Sequence, residues 1–93
     1  MASILHIIVS GRVQGVGFRY HTESVARRYK VSGWVRNLAT GDVEILARIP
    51  EGRKTQFLEE IEKGPPGARV TRMNTLPAPD TMHCPEQGFT IRR

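Results

Sequence analysis

Leu5, Ile7 and Val9 alternate with His6, Ile8 and Ser10, and the stretch from Ile4 to Ser10 is rich in the β-branched residues that suit a pleated, half-buried chain. It predicts a strand. Gly11-Arg12-Val13-Gln14-Gly15-Val16-Gly17 follows, with three glycines in seven residues, a density that sustains neither helix nor sheet and reads as a loop. From Phe18 the period changes. Phe18, Thr22, Val25, Ala26 and Tyr29 recur at the spacing of one helical stripe, with Glu23, Arg27 and Arg28 off it, so a helix is predicted to about Lys30.

The segment Val31 to Asn37 alternates again, Asn37-Leu38-Ala39-Thr40-Gly41-Asp42 supplies turn residues, and Val43, Ile45, Ala47 and Ile49 resume the alternation, which predicts a hairpin. Phe57, Leu58 and Ile61 then share one helical face with Glu59, Glu60 and Glu62 around it, up to the stop at Lys63-Gly64-Pro65-Pro66. Beyond it, Arg69 to Leu76 reads as a polar strand, Pro77 to Gly88 with its three prolines as a loop, and Phe89-Thr90-Ile91-Arg92 as a short closing strand. Strand, helix, strand, strand, helix, strand is the split βαβ order. It predicts an α+β, ferredoxin-like two-layer sandwich (βαββαβ), with a mostly antiparallel sheet carrying two helices on one face.

Length adds one constraint. At 93 residues the chain is a single domain, residues 1–93, burying only about 60–65% of its extended surface, so every element has to contribute to the core. Cys84 is the single cysteine, so neither an intrachain disulfide nor a cysteine-based metal centre is available, which suits a reducing cytoplasm. No apolar run approaches the ~18–20 residues of a membrane span, and the N-terminus lacks a basic segment leading into an apolar stretch. A cytoplasmic protein without a membrane partner is expected. The formal net charge of +5 attracts anions, whether phosphate esters, nucleic acid or acidic headgroups, without choosing among them.

Candidate chemistry concentrates between the first strand and the first helix. A glycine-rich turn entering a helix N-terminus aims backbone N–H groups at one spot where the helix dipole also favours negative charge. Arg19 follows at the helix start, where a guanidinium can fork onto two phosphoryl oxygens. On spacing alone, a tight turn beside a solvated arginine fits as well as a phosphate site. Gly11, Gly15 and Gly17 match neither the nucleotide-triphosphate loop, which needs a following Gly-Lys-Ser/Thr, nor the dinucleotide fingerprint. Asn37 alone reads as an Asx turn opening the hairpin. Trp34 falls on the strand face opposite to Val35 and Asn37 and is expected to pack. His21, two residues past Arg19, is a conceivable base, with a surface histidine the simpler reading; His6, His83 and Cys84 suggest no site.

Gly11-Arg12-Val13-Gln14-Gly15-Val16-Gly17-Phe18-Arg19, followed after a helix-length gap by Gly33-Trp34-Val35-Arg36-Asn37, closely resembles the two signature blocks of the acylphosphatases, in the same order and spacing. The resemblance implies a ferredoxin-like fold and hydrolysis of an acyl phosphate to a carboxylate and inorganic phosphate, with no metal or organic cofactor, in a monomer. It further implies that Arg19 binds the phosphate, that the backbone of Gly11, Arg12, Val13, Gln14, Gly15, Val16 and Gly17 forms the cradle, and that Asn37 positions the attacking water. Animal members commonly carry Thr directly after that Asn. This chain has Leu38, a change expected to lower turnover or move its optimum without abolishing the reaction.

The reaction suits what the sequence contains. Phosphoryl transfer spreads negative charge over oxygens that fixed N–H donors and a guanidinium can stabilise. A carboxylate leaves without a strong general acid, consistent with the lack of a clustered Asp, Glu and His set. Two other readings share some of these features. The RNA-recognition motif shares this element order, but it stacks bases on aromatics of the first and third strands, and Ile4–Ser10 and Val43–Ile49 contain none. The other is a phosphate-binding module without turnover, like the acylphosphatase-like domain of larger hydrogenase-maturation proteins, but those carry zinc-finger cysteines and further domains, whereas this chain has the single Cys84.

Overall fold

The computed structural model, which describes residues 2–93, runs β1 (Ser3–Arg12), α1 (Phe18–Arg28), β2 (Ser32–Asn37), β3 (Val43–Ile49), α2 (Lys54–Lys63), β4 (Arg69–Pro77) and β5 (Phe89–Arg92). The strands form one sheet in the order β4-β1-β3-β2-β5. Pairing is antiparallel throughout except between β2 and β5, which run parallel. The expected ferredoxin-like sandwich is present, extended at one edge by β5.

Register decides which face is apolar. Leu5, Ile7 and Val9 of β1 sit opposite Ala47, Ile45 and Val43 of β3, so the two alternations coincide on one side of the sheet. Phe18, Val25 and Ala26 of α1 and Phe57 and Ile61 of α2 close over that side, and all are buried in one cluster with Val35 and Ile49. Each large side chain so buried stabilises the fold by roughly 1.5–3 kcal/mol. The buried Thr22 hydroxyl donates to the Phe18 carbonyl at 2.9 Å, which satisfies a polar group inside the layer. β4 reads as polar because it is an edge strand whose residues are mostly exposed.

The opposite face is partly covered by the chain between β4 and β5. Ala78, Met82 and Cys84 from this segment pack with Ile4, Trp34 and Leu46. It is pinned by Ser32 Oγ donating to the Pro85 carbonyl at 2.8 Å, Arg48 Nη2 donating to the Cys84 carbonyl at 3.1 Å, and Ala78 N–H donating to the Ile4 carbonyl at 2.9 Å. Trp34 is only 4% exposed, with the guanidinium carbons of Arg36 and Arg92 at 5.2 and 4.6 Å from its ring centroid. Beside it the buried Glu44 carboxylate takes His6 Nε2 on one oxygen at 2.7 Å and Arg36 Nε on the other. Burial pushes the Glu44 pKa up, but the hydrogen bonds and charges of His6 and Arg36 outweigh it and hold the carboxyl below its ordinary value. Among the described residues no helix is long and apolar enough to cross a membrane.

Candidate active site

The end of β1 is bent before the glycine turn begins. Pairing with β4 shifts register between Ser10 and Gly11. Gly11 has φ 122°, and a Cβ there would lie 2.1 Å from the Arg69 carbonyl oxygen, so only glycine fits. The turn then reaches Gly17, the N-cap of α1, in the left-handed conformation at φ 79° and ψ 21°. The helix starts with His21 N–H donating to the Gly17 carbonyl at 3.0 Å. No side chain caps it and its first turn holds no acidic residue, so the N–H groups of that turn and the positive end of the helix dipole are left for an anion.

Val13, Gly15, Gly17, Phe18, Arg19, Tyr20 and Asn37 line one hollow of about 210 Å³. Arg19 leans on the far edge of the sheet, its Nη1 donating to the Arg92 carbonyl of β5 at a long 3.4 Å. Among the described residues no carboxylate pairs with it, so the remaining guanidinium donors are available for a ligand. Asn37 is the last residue of β2, on the same side of the strand as Val35 and opposite Val43, which carries its amide beneath the helix layer and into the hollow. Its Oδ1 is the one buried side-chain oxygen or nitrogen among the described residues with no hydrogen-bond partner. A buried acceptor without a donor costs about 1–3 kcal/mol and calls for an explanation.

Other residues of the predicted cradle lie around the hollow rather than lining it. Arg12 ends β1 opposite Arg69 of β4 and is exposed, and Val16 packs against the core. Gln14 sends its side chain across to the β2–β3 turn, where Nε2 donates to the carbonyls of Leu38 and Asp42 at 2.8 and 2.9 Å. Those carbonyls belong to a turn that is also closed by Leu38 N–H to the Asp42 carbonyl at 2.8 Å. His21 is not placed to act as a base: its Nε2 donates to the Glu60 carbonyl at 2.9 Å and ties α1 to α2. Cys84 is buried in the second cluster, and burial raises its thiol pKa against the opposing influence of Arg48.

Tyr20, the Arg92 carbonyl and the strap made by Gln14 are not legible in the sequence as site features. For Tyr20 a signal existed: side chains in the first turn of a helix lean back toward its N-terminus, so the neighbour of Arg19 is a natural rim residue.

What the hollow offers is a concentration of donors. The Arg19 guanidinium, the uncapped start of α1 and Gly15 and Gly17 of the turn border it together with Asn37. That set can hold a tetrahedral anion and accept a hydrogen bond from a water next to it.

Residues 5–91 match the family description "Acylphosphatase". An acylphosphatase of Bacillus velezensis is 54% identical over 66 residues, covering 71% of this chain and 73% of its own length. One of Bacillus pumilus is 40% identical over 87 residues, 94% of each chain. The crystal structure of the acylphosphatase from Bacillus subtilis superposes with a TM-score of 0.88 at 39% identity over the whole of both chains.

Proposed function

Because the chain belongs to the acylphosphatase family, we propose that its Gly11–Gly17 turn and Arg19 hold the phosphoryl group of an acyl phosphate while Asn37 positions the water that hydrolyses it. The observation that carries this reading is that Arg19 and Asn37, from the two motif blocks, line one hollow together with Gly15 and Gly17 of the turn. The phosphoryl oxygens take the donors of Arg19 and of the turn, and these gain strength as charge builds on the equatorial oxygens in the transition state. Asn37 Oδ1 accepts a hydrogen bond from the water, which supplies the partner that the oxygen lacks and lines the nucleophile up with phosphorus.

The water oxygen bonds to phosphorus as the bond from phosphorus to the acyl oxygen breaks, releasing the carboxylate. The water's proton passes to a non-bridging phosphoryl oxygen, so the products are a carboxylate and inorganic phosphate. A weakly basic leaving group needs no protonated side chain beside it, and His21, engaged with α2, is not required. A monomer in a reducing cytoplasm belongs to the same reading, supported by the chain's one thiol being buried.

The test is release of benzoate from benzoyl phosphate by the purified chain in excess chelator, with inorganic phosphate added as a competitor. Turnover that survives chelation and is competitively inhibited by phosphate is expected. Benzoate release no faster than the uncatalysed rate would overturn the reading in favour of phosphate binding without turnover. The buried state of Trp34 weighs against base stacking on the sheet.

A further inference from the structure

We infer that Tyr20 forms the acyl side of the site and biases it toward acyl phosphates whose acyl group is aromatic or otherwise broadly apolar; this rests on the hydrolytic reading above. Tyr20 is 68% exposed, and with Leu76 it is one of two large hydrophobic side chains left in solvent among the described residues. An exposed tyrosine alone is unremarkable. Tyr20, however, lines the same hollow as Arg19 and Asn37, and neither its ring nor its hydroxyl makes a hydrogen bond or ring contact.

The rest of the hollow is committed. Gly15, Gly17 and Arg19 present donors, Asn37 presents an acceptor, and Val13 and Phe18 are buried at 1% exposure each. A space of about 210 Å³ that takes a phosphoryl group and a water leaves the acyl group at the rim. There Tyr20 is the exposed apolar surface. An apolar acyl group laid on that ring removes both from water, and a ring in the acyl group adds the offset or edge-on preference of aromatic pairs. Such a contact is present before and during the reaction alike, so it acts on KM and leaves kcat largely alone.

The experiment compares benzoyl phosphate with acetyl phosphate for the wild type, Tyr20→Ala and Tyr20→Phe. Tyr20→Ala is expected to reduce the preference for benzoyl over acetyl phosphate, measured as the ratio of kcat/KM values, by about three- to tenfold, through KM for benzoyl phosphate. Tyr20→Phe keeps the preference, because the ring and not the hydroxyl supplies it. With wild-type turnover intact, an unchanged ratio in Tyr20→Ala, or a loss of the same size on both substrates, would overturn the role of Tyr20 alone. A wild type that turned over neither compound would overturn the hydrolytic reading and this inference with it.

Discussion

Gln14 and Leu38 are 24 positions apart in the chain, yet the Gln14 amide donates to the Leu38 carbonyl at 2.8 Å. A second donation, to Asp42 at 2.9 Å, makes the side chain a strap between the glycine turn that enters α1 and the turn that follows Asn37. The two turns belong to different connections of the sandwich, and this amide bridges them.

Cutting the strap is expected to separate positioning from binding. Gln14→Ala removes two hydrogen bonds worth about 0.5–1.5 kcal/mol each and lets the turns drift, so kcat should fall by about tenfold or more with a smaller change in the inhibition constant of phosphate. Gln14→Glu places an acceptor against two carbonyls and should be worse than alanine. Steady-state kinetics on both variants check this; a kcat unchanged in the face of lost stability would leave the strap a purely structural link.

Arg19→Gln and Asn37→Ala are each expected to lower kcat by about 10²- to 10³-fold with the circular dichroism spectrum unchanged. They should differ in stability. Asn37→Ala deletes a buried oxygen that has no partner, so its denaturation midpoint should stay level or rise, while its activity collapses. A clear fall in the midpoint would mean that Asn37 supports the fold rather than the reaction.

Gly11 at the end of β1 and Gly17 at the start of α1 should respond differently to alanine. At Gly11 the new Cβ would meet the Arg69 carbonyl oxygen at 2.1 Å, whereas at Gly17 nothing lies within 4 Å and the penalty is the left-handed backbone alone. Urea denaturation should show a loss of about 3 kcal/mol or more for Gly11→Ala against about 1–2 kcal/mol for Gly17→Ala.

Acid should act on the far face. Glu44 has a carboxyl held below its ordinary value of 4.5, so the stability it contributes is fully present above about pH 4.5 and is lost as pH falls through its lower folded value. Glu44→Gln is expected to lower Tm near neutral pH by several degrees, with the gap from wild type closing below pH 4. A gap that stayed constant down to acid pH would show that the carboxylate's charge adds nothing.

Much of the architecture could be read before any coordinates. Leu5, Ile7 and Val9 announce a strand buried on one side, and Phe18, Thr22, Val25 and Ala26 a helix that covers it, because a single small core leaves each element one apolar face to bury. The two motif blocks single out Arg19 and Asn37, which line one hollow in the structure. Pattern could not reveal that β5 would join β2 in parallel, since four residues carry no register information of their own. Nor could it give the path of residues 78–88 over Trp34 and Leu46. The motif match assigns a role to the backbone of Gln14 and says nothing of its side chain. The destination of a side-chain amide depends on which carbonyls the tertiary fold brings near, here two from a hairpin turn far along the chain.

Trp34 is the only indole in the protein, and it is wedged among Arg36, Arg92, Leu46 and Cys84. Its emission therefore reports on one locality, the clamp formed by the 78–88 crossing and the terminal strand. Loosening of that clamp would show as a change in intrinsic fluorescence, and loss of hydrolysis without it would place the damage on the other side of the sheet. The chain carries its own optical gauge for telling the two sides apart.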